Sequence, residues 1–124
     1  MTLTLPWPPS VNHYWIRTRR GMTRSDAAKN YLHAVSASLI DQGHKDIAIG
    51  LKRGPYYTER LRVTVIANPP NRIRRDLDNL GKAACDAMAH VGLYRDDSQI
   101  DDWRVIRGEV VKGGELIVTM EPIT

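Results

Sequence analysis

The sequence predicts an α+β fold: a mixed four-stranded sheet with two helices, in the order β-α-β-α-β-β. Three observations predict it. Four short segments alternate apolar and polar residues, two longer ones repeat apolar residues every three or four positions, and Pro or Gly clusters separate them. Residues 2–5 alternate and read as a first strand, ended by Pro6-Trp7-Pro8-Pro9, which cannot donate to a central ladder. Residues 10–24 have no clean period and read as a basic, aromatic-bearing loop. Ser25 is a good N-cap for the first helix, whose stripe is Ala28, Leu32, Val35 and Leu39, with Gly43 as its stop. Residues 44–59 read as a loop broken by Gly50 and Gly54-Pro55. Leu61, Val63, Val65 and Ala67 alternate with Arg62, Thr64 and Ile66, so 60–67 is a strand that Asn68-Pro69-Pro70-Asn71 ends. A second helix is expected over 76–91, with Leu77, Leu80, Ala84, Ala87 and Val91 toward the core and Gly92 just past its end. Residues 100–111 hold a third strand with Trp103 and Val105 on one face. Lys112-Gly113-Gly114-Glu115 reads as a hairpin turn, since paired glycines tolerate positive φ. Leu116, Val118 and Met120 mark the fourth strand. Such mixed connections imply a mixed sheet with helices packed on a face.

A chain of 124 residues favours one domain over 1–124, large enough to bury roughly two-thirds of its unfolded surface without staples. There is no Phe, so three Trp and five Tyr supply the aromatic bulk. The apolar runs are too short to span a bilayer. The N-terminus lacks the basic start and long apolar stretch of a signal peptide. Cys85 is the only cysteine, which excludes an intrachain disulfide. The expectation is a cytoplasmic protein with no membrane association.

Net charge is +4, but its distribution says more. Asp76, Asp78, Asp86, Asp96, Asp97, Asp101 and Asp102 are half of the 14 acids and lie within residues 76–102, beside only Lys82 and Arg95. The remainder carries 16 bases against 7 acids. An acidic island in a basic chain fits a metal site within a phosphate-binding surface, or simply a mixed solvated surface.

The densest stretch is Arg72-Ile73-Arg74-Arg75-Asp76-Leu77-Asp78-Asn79-Leu80-Gly81-Lys82. Asp76 and Asp78 open the second helix, where two hard carboxylates suit Mg²⁺ completed by water. Capping of free N–H groups explains one such residue equally well. Asp96 and Asp97 follow the same helix, whose ends are roughly 22 Å apart at 1.5 Å per residue, so the chain must double back for them to meet Asp76. A polar turn is the plainer account of that pair. By spacing, Lys82 favours i,i+4 ion pairs with Asp78 and Asp86 over a role beside a phosphate. Arg72, Arg74 and Arg75, and Arg17, Arg19, Arg20 and Arg24 with Tyr14 and Trp15, are candidate contacts to phosphates and unpaired bases, or charged solvated loops. The scattered histidines exclude a zinc pattern, Cys85 reads as an inert small hydrophobe, and no Gly-rich phosphate loop or other sign of an organic cofactor occurs.

The chain resembles the RusA family of Holliday junction resolvases over nearly its whole length. The resemblance rests on Pro6-Trp7-Pro8-Pro9-Ser10-Val11-Asn12, on Arg75-Asp76-Leu77-Asp78-Asn79-Leu80 with Lys82 and Asp86-Ala87, on Asp96-Asp97-Ser98-Gln99-Ile100, and on the Lys112-Gly113-Gly114 turn. It implies a Mg²⁺-dependent endodeoxyribonuclease that makes paired cuts across a DNA four-way junction as a homodimer, encoded by a bacterium or a phage. It further implies that Asp76, Asp78 and Asp97 are the essential metal-site carboxylates, that Asp96 is auxiliary, and that Lys82 belongs to the active site, against its plainer reading. Cys85 stands where the family often has a bulky side chain, Met88 replaces a common Leu, and residues 44–59 match poorly. A non-catalytic branched-DNA or RNA binding module and a less selective metal-dependent nuclease are the alternatives.

Overall fold

The structure is a computed structural model that describes residues 1–44, 47 and 54–123. Its centre is an eight-residue strand, β4 (Leu61–Asn68), whose alternation buries Leu61, Val63, Val65 and Ala67 on one face. The flanking strands are β1 (Thr2–Pro6), β5 (Ile100–Arg107) and β6 (Glu115–Pro122), in the order β1-β6-β4-β5. β6 runs antiparallel to both β1 and β4, while β5 runs parallel to β4, so the sheet is mixed as expected. Leu3, Leu5, Leu116, Val118 and Met120 join the β4 residues in one core cluster with the helices α2 (Asp26–Asp41) and α3 (Gly81–His90). No helix among the described residues is long and apolar enough to cross a membrane.

α2 follows its sequence signals. The Ser25 hydroxyl accepts the Ala28 N–H at 3.1 Å, Tyr31, Leu32, Val35 and Leu39 are buried, and Gly43 takes a positive φ of 87° just past the end. At that end the Gln42 amide acts as a surrogate strand. It accepts the Thr4 N–H at 2.7 Å and donates to the Thr4 carbonyl at 2.6 Å, binding the helix to the exposed edge of β1. Of the loop expected over 44–59, Gly50 and most of the first half lie outside the described residues.

The order differs from expectation in three places. Residues 10–24 are not an irregular loop: they form a short helix, α1 (Val11–Tyr14), and a hairpin of β2 (Trp15–Thr18) and β3 (Gly21–Arg24). Most hairpin side chains are exposed, so no core face imposed an apolar period on them. The hairpin is anchored instead by polar groups. Arg24 donates to both Asp86 carboxylate oxygens at 2.8 Å, and the Tyr14 hydroxyl donates to the same carboxylate. Second, the helix expected from Asp76 begins as a 3₁₀ turn over Leu77–Leu80 and becomes α-helical only at Gly81. Third, the Gly113-Gly114 turn has the positive φ values expected, 81° and 72°, but does not join neighbouring strands. β4 lies between β5 and β6, because the β4-α3-β5 unit is a parallel crossover that seats β5 on the far edge. β5 accordingly ends at Arg107, and residues 108–114 carry the chain across the end of β4.

Beyond α3, the chain turns at Gly92 (φ 87°) and runs back along the helix. The Tyr56 and Tyr57 N–H groups donate to the Gly92 and Leu93 carbonyls at 2.8 and 2.9 Å. The buried Tyr94 places its hydroxyl 2.8 Å from the Cys85 carbonyl, halfway along α3. Replacing Tyr94 with Phe is expected to lower stability by about 1 kcal/mol, the usual worth of one such hydrogen bond, as read by urea unfolding. An unchanged midpoint would show that this bond does not hold the return.

The Arg24–Asp86 pair yields a second expectation. Burial pushes the Asp86 pKa up, but the Arg24 guanidinium and Tyr14 hydroxyl outweigh it and hold the carboxyl below its ordinary value. A depressed carboxylate stabilises the fold above its unfolded pKa of about 4 and loses that contribution as pH falls through the folded value. Wild type is therefore expected to exceed Arg24→Ala in stability at neutral pH, with the gap closing in acid. A gap that stays constant in chemical denaturation from pH 7 to 3 would contradict this.

Candidate active site

The seven aspartates of the acidic island separate by their partners. Asp86 is neutralised by Arg24, Asp101 by Arg60, and Asp102 by Arg62 at 2.9 Å and Arg104 at 3.0 Å. These three fasten the hairpin and the β5 edge. Asp76, Asp78, Asp96 and Asp97 have no ion-pair partner within 4 Å among the described residues, and neither has Lys82. The i,i+4 pairs that spacing favoured for Lys82 are therefore not formed, and Asp86 is held by Arg24 instead.

Asp78, Lys82 and Asp97 line one cleft of about 300 Å³ with Gly81, Cys85, Ile100 and Trp103. Helical spacing accounts for half of it: residues 78, 82 and 85 follow one another at i, i+4 and i+7 from the 3₁₀ turn into α3. The returning chain supplies the other half. Asp97 heads a 3₁₀ turn (Asp97–Gln99) closed by a capping box, in which the Asp96 carboxylate accepts the Ser98 N–H at 3.3 Å. The Gln99 side-chain oxygen accepts the Arg95 N–H at 2.9 Å, and its NH₂ donates to the Tyr57 and Glu59 carbonyls at 3.1 Å each. Gln99 thus ties the Asp96-Asp97 turn to the strand entering β4. The indole of Trp103 closes the cleft over Gly81, within 3.5 Å of where a side chain there would begin.

Asp97 is held above the usual carboxylate range, first by the neighbouring Asp96 carboxyl and then by partial burial. Asp96 is correspondingly held below that range, by Asp97 and by the N–H and hydroxyl of Ser98. Two facing carboxyl groups cannot both ionise cheaply without a nearby cation. Burial pushes the Cys85 thiol up to about 11, so this half-buried residue is a protonated wall of the cleft, in line with its reading as inert.

Asp76 lies elsewhere. It lines a neighbouring cleft with Trp7, Pro8, Pro9, Ser10, Arg74, Arg75, Asn79 and Leu80. Its backbone is extended at the N-cap position (φ −87°, ψ 131°), yet its side chain makes no capping bond. Residues 76 and 78 thus flank one tight turn and open onto different clefts. The expected convergence of Asp76, Asp78 and Asp97 is absent: among the described residues no three His, Cys, Asp or Glu side chains are grouped to hold a metal ion. Asp78 and Asp97 converge, and Asp76 does not join them.

The arginines also divide. Arg17, Arg19 and Arg20 are exposed on the β2–β3 hairpin, and Arg72 and Arg74 are exposed before the 3₁₀ turn. Arg75 is partly buried and donates to the Asn71 and Ile73 carbonyls at 3.2 and 3.1 Å, so part of its work is to shape its own loop. Sequence reasoning missed the anchoring roles of Tyr94, Gln99 and Tyr14 and the cleft position of Trp103. Gln99 alone carried a local signal, three residues after an Asp in capping-box spacing.

Residues 6–121 match the family model described as Endodeoxyribonuclease RusA. The chain is 38% identical over 119 residues to the crossover junction endodeoxyribonuclease RusA of Escherichia coli strain K12, covering 96% of this chain and 92% of that protein. It is 43% identical over 112 residues to the crossover junction endodeoxyribonuclease of Enterobacteria phage HK97, covering 90% and 86%. The Shigella sonnei relative of the same name is 37% identical over 119 residues, covering 96% and 92%. With the match spanning both halves of the cleft, the chain belongs to the RusA family of endodeoxyribonucleases.

Proposed function

We propose that this protein is a Mg²⁺-dependent endonuclease that resolves DNA four-way junctions by paired phosphodiester hydrolysis. The observation that carries the reading is the shared cleft of Asp78, Asp97 and Lys82, each without an ion-pair partner among the described residues. A binding module has no use for unpaired carboxylates at a phosphate surface, since they repel it. The names of the bacterial and phage relatives agree with the reading, and the setting it implies is DNA in a bacterial cytoplasm.

The donor set fits the metal. Mg²⁺ is commonly held by one or two carboxylates with substrate phosphate and water completing the shell, so Asp78 and Asp97 suffice as protein ligands. Asp76, in the adjoining cleft, and Asp96, beside Asp97, would serve as auxiliary acids around such an ion. When bound, the ion makes water a competent nucleophile at neutral pH and neutralises phosphate charge. Asp78 and Asp97 fix the reaction centre between helix and returning chain. Lys82 places its ammonium where negative charge grows on the phosphate oxygens. Arg72, Arg74 and Arg75 hold the backbone on one side, and Arg17, Arg19 and Arg20 on the other, which makes binding fall steeply with salt.

A homodimer completes the reading. A two-fold junction is matched by an isologous dimer. The sheet face opposite the helices carries Ile106, Ile66 and Ile117 side by side in register across β5, β4 and β6, with Ile66 38% and Ile106 52% exposed. We assign this apolar row to a second copy of the chain.

In Asp78→Asn, cleavage is expected to fall about a hundredfold or more while junction binding at low salt and the melting temperature persist. Lys82→Met is expected to lose a comparable factor in kcat with little change in KM. Labelled junction, duplex and single strand, with and without EDTA, separate a resolvase from a general nuclease. An Asp78→Asn protein cutting near the wild-type rate would refute the carboxylate role.

The paired substitution Ile66→Lys and Ile106→Lys is expected to convert a dimer to a monomer in sedimentation and to uncouple the two cuts. A wild-type protein that sediments as a monomer at micromolar concentration removes this part of the reading.

A further inference from the structure

Trp7, Pro8, Pro9 and Ser10 take no part in the cleft of Asp78 and Asp97, yet they form one wall of a cleft of about 660 Å³ on the other side of the same 3₁₀ turn. We propose that this second cleft receives an unstacked nucleobase of the strand being cut, next to the scissile phosphate. The proposal rests on the endonuclease reading and adds a base-recognition site to it.

The chemistry of the walls matches a base better than a phosphate. Trp7, Pro8, Pro9 and Leu80 offer flat apolar surface, and Ser10 and Asn79 offer hydrogen-bonding edges. A nucleobase has the same two features, while a phosphate lodged here would meet the Asp76 carboxylate. The Arg75 guanidinium lies 5.7 Å from the Trp7 ring centre, and arginine planes and indoles are both sequence-tolerant stacking partners. Arg74 lines the same cleft and supplies charge for the backbone of the incoming strand.

The cleft is built rather than incidental. The Tyr31 hydroxyl donates to the Pro6 carbonyl at 2.8 Å, fixing the segment to α2. Three prolines fix its φ angles. Gly114 packs so closely that a Cβ there would lie 2.9 Å from both the Trp7 Cβ and the Pro70 ring, so the glycine turn seats Trp7. The two clefts are separated by one 3₁₀ turn of four residues, about 8 Å at roughly 2 Å per residue. A base in one and its neighbouring phosphate in the other are therefore within a single strand's reach.

The test uses the full-length protein with Mg²⁺ and four-way junctions that each carry one abasic position, walked along the nucleotides flanking the cut. Wild type is expected to lose about tenfold or more of its cleavage rate at one position, the scale of base–aromatic stacking. Trp7→Ala is expected to lose a similar factor on the intact junction and to become indifferent to that abasic position. Trp7→Phe is expected to keep most of the rate. Because Trp7 also packs on the core, Ser10→Ala and Asn79→Ala form an independent arm. Each is expected to keep the melting temperature and to change the rate ratio among the four bases at that position about threefold or more. Indifference of wild type to every abasic position overturns the proposal, as does an abasic loss undiminished in Trp7→Ala. Should Trp7→Ala not fold, base preferences unchanged in both Ser10→Ala and Asn79→Ala overturn it. A wild type that binds junctions and cuts none refutes the endonuclease reading, and the base site with it.

Discussion

The return of the chain along α3 is the constraint on which the site depends. A helix separates its two ends, so carboxylates before and after it meet only if the following segment folds back. Here the helix stops at His90, the chain turns at Gly92, Tyr94 inserts under the helix to bond the Cys85 carbonyl, and the Asp96–Gln99 capping box halts the chain beside Lys82. The Gln99 amide then joins this turn to the backbone leading into β4. Because β5 pairs with β4 in parallel, the start of β5 is brought to the same end of the sheet as the start of β4. Topology and hydrogen bonding thus agree on where Asp97 sits. A hairpin connection would have carried it to the opposite end.

Charge pairing divides structural from chemical work. Guanidinium groups hold Asp86, Asp101 and Asp102 in hydrogen-bonded pairs that dock the hairpin and secure the β5 edge. The other four acids and Lys82 are left facing clefts. Asp97 carries a raised affinity for its proton because Asp96 stands beside it, a cost that a divalent cation placed there would relieve. The placement of Asp76 in the neighbouring cleft links the two sides of the 3₁₀ turn, one lined by carboxylates and lysine, the other by an indole, prolines and arginines. A strand lying across that turn meets both surfaces at once.

Much of this was legible in the residues. Alternation located all four sheet strands, because burial of one face of β4 and β6 forces a period of two. Ser25, Gly43 and Gly92 marked helix ends, since their backbone and capping roles are local. The β2–β3 hairpin was not legible, because its side chains are exposed and its anchors, Tyr14 and Asp86, are 72 residues apart. The 3₁₀ start at Leu77 escaped notice because it carries the same apolar spacing as a first helical turn.

The sequence by itself determined which residues alternate, cap, turn and carry charge, and through its motifs which family the chain joins. These are properties of neighbours, settled over a few residues by backbone sterics and short-range hydrogen bonds. Only the tertiary structure decided that β5 lies beside β4 rather than β6, that Lys82 pairs with neither Asp78 nor Asp86, and that Asp78 shares a cleft with Asp97 while Asp76 lines another. Those outcomes depend on how distant segments share one core, and burial constrains a side chain's face without naming its partner.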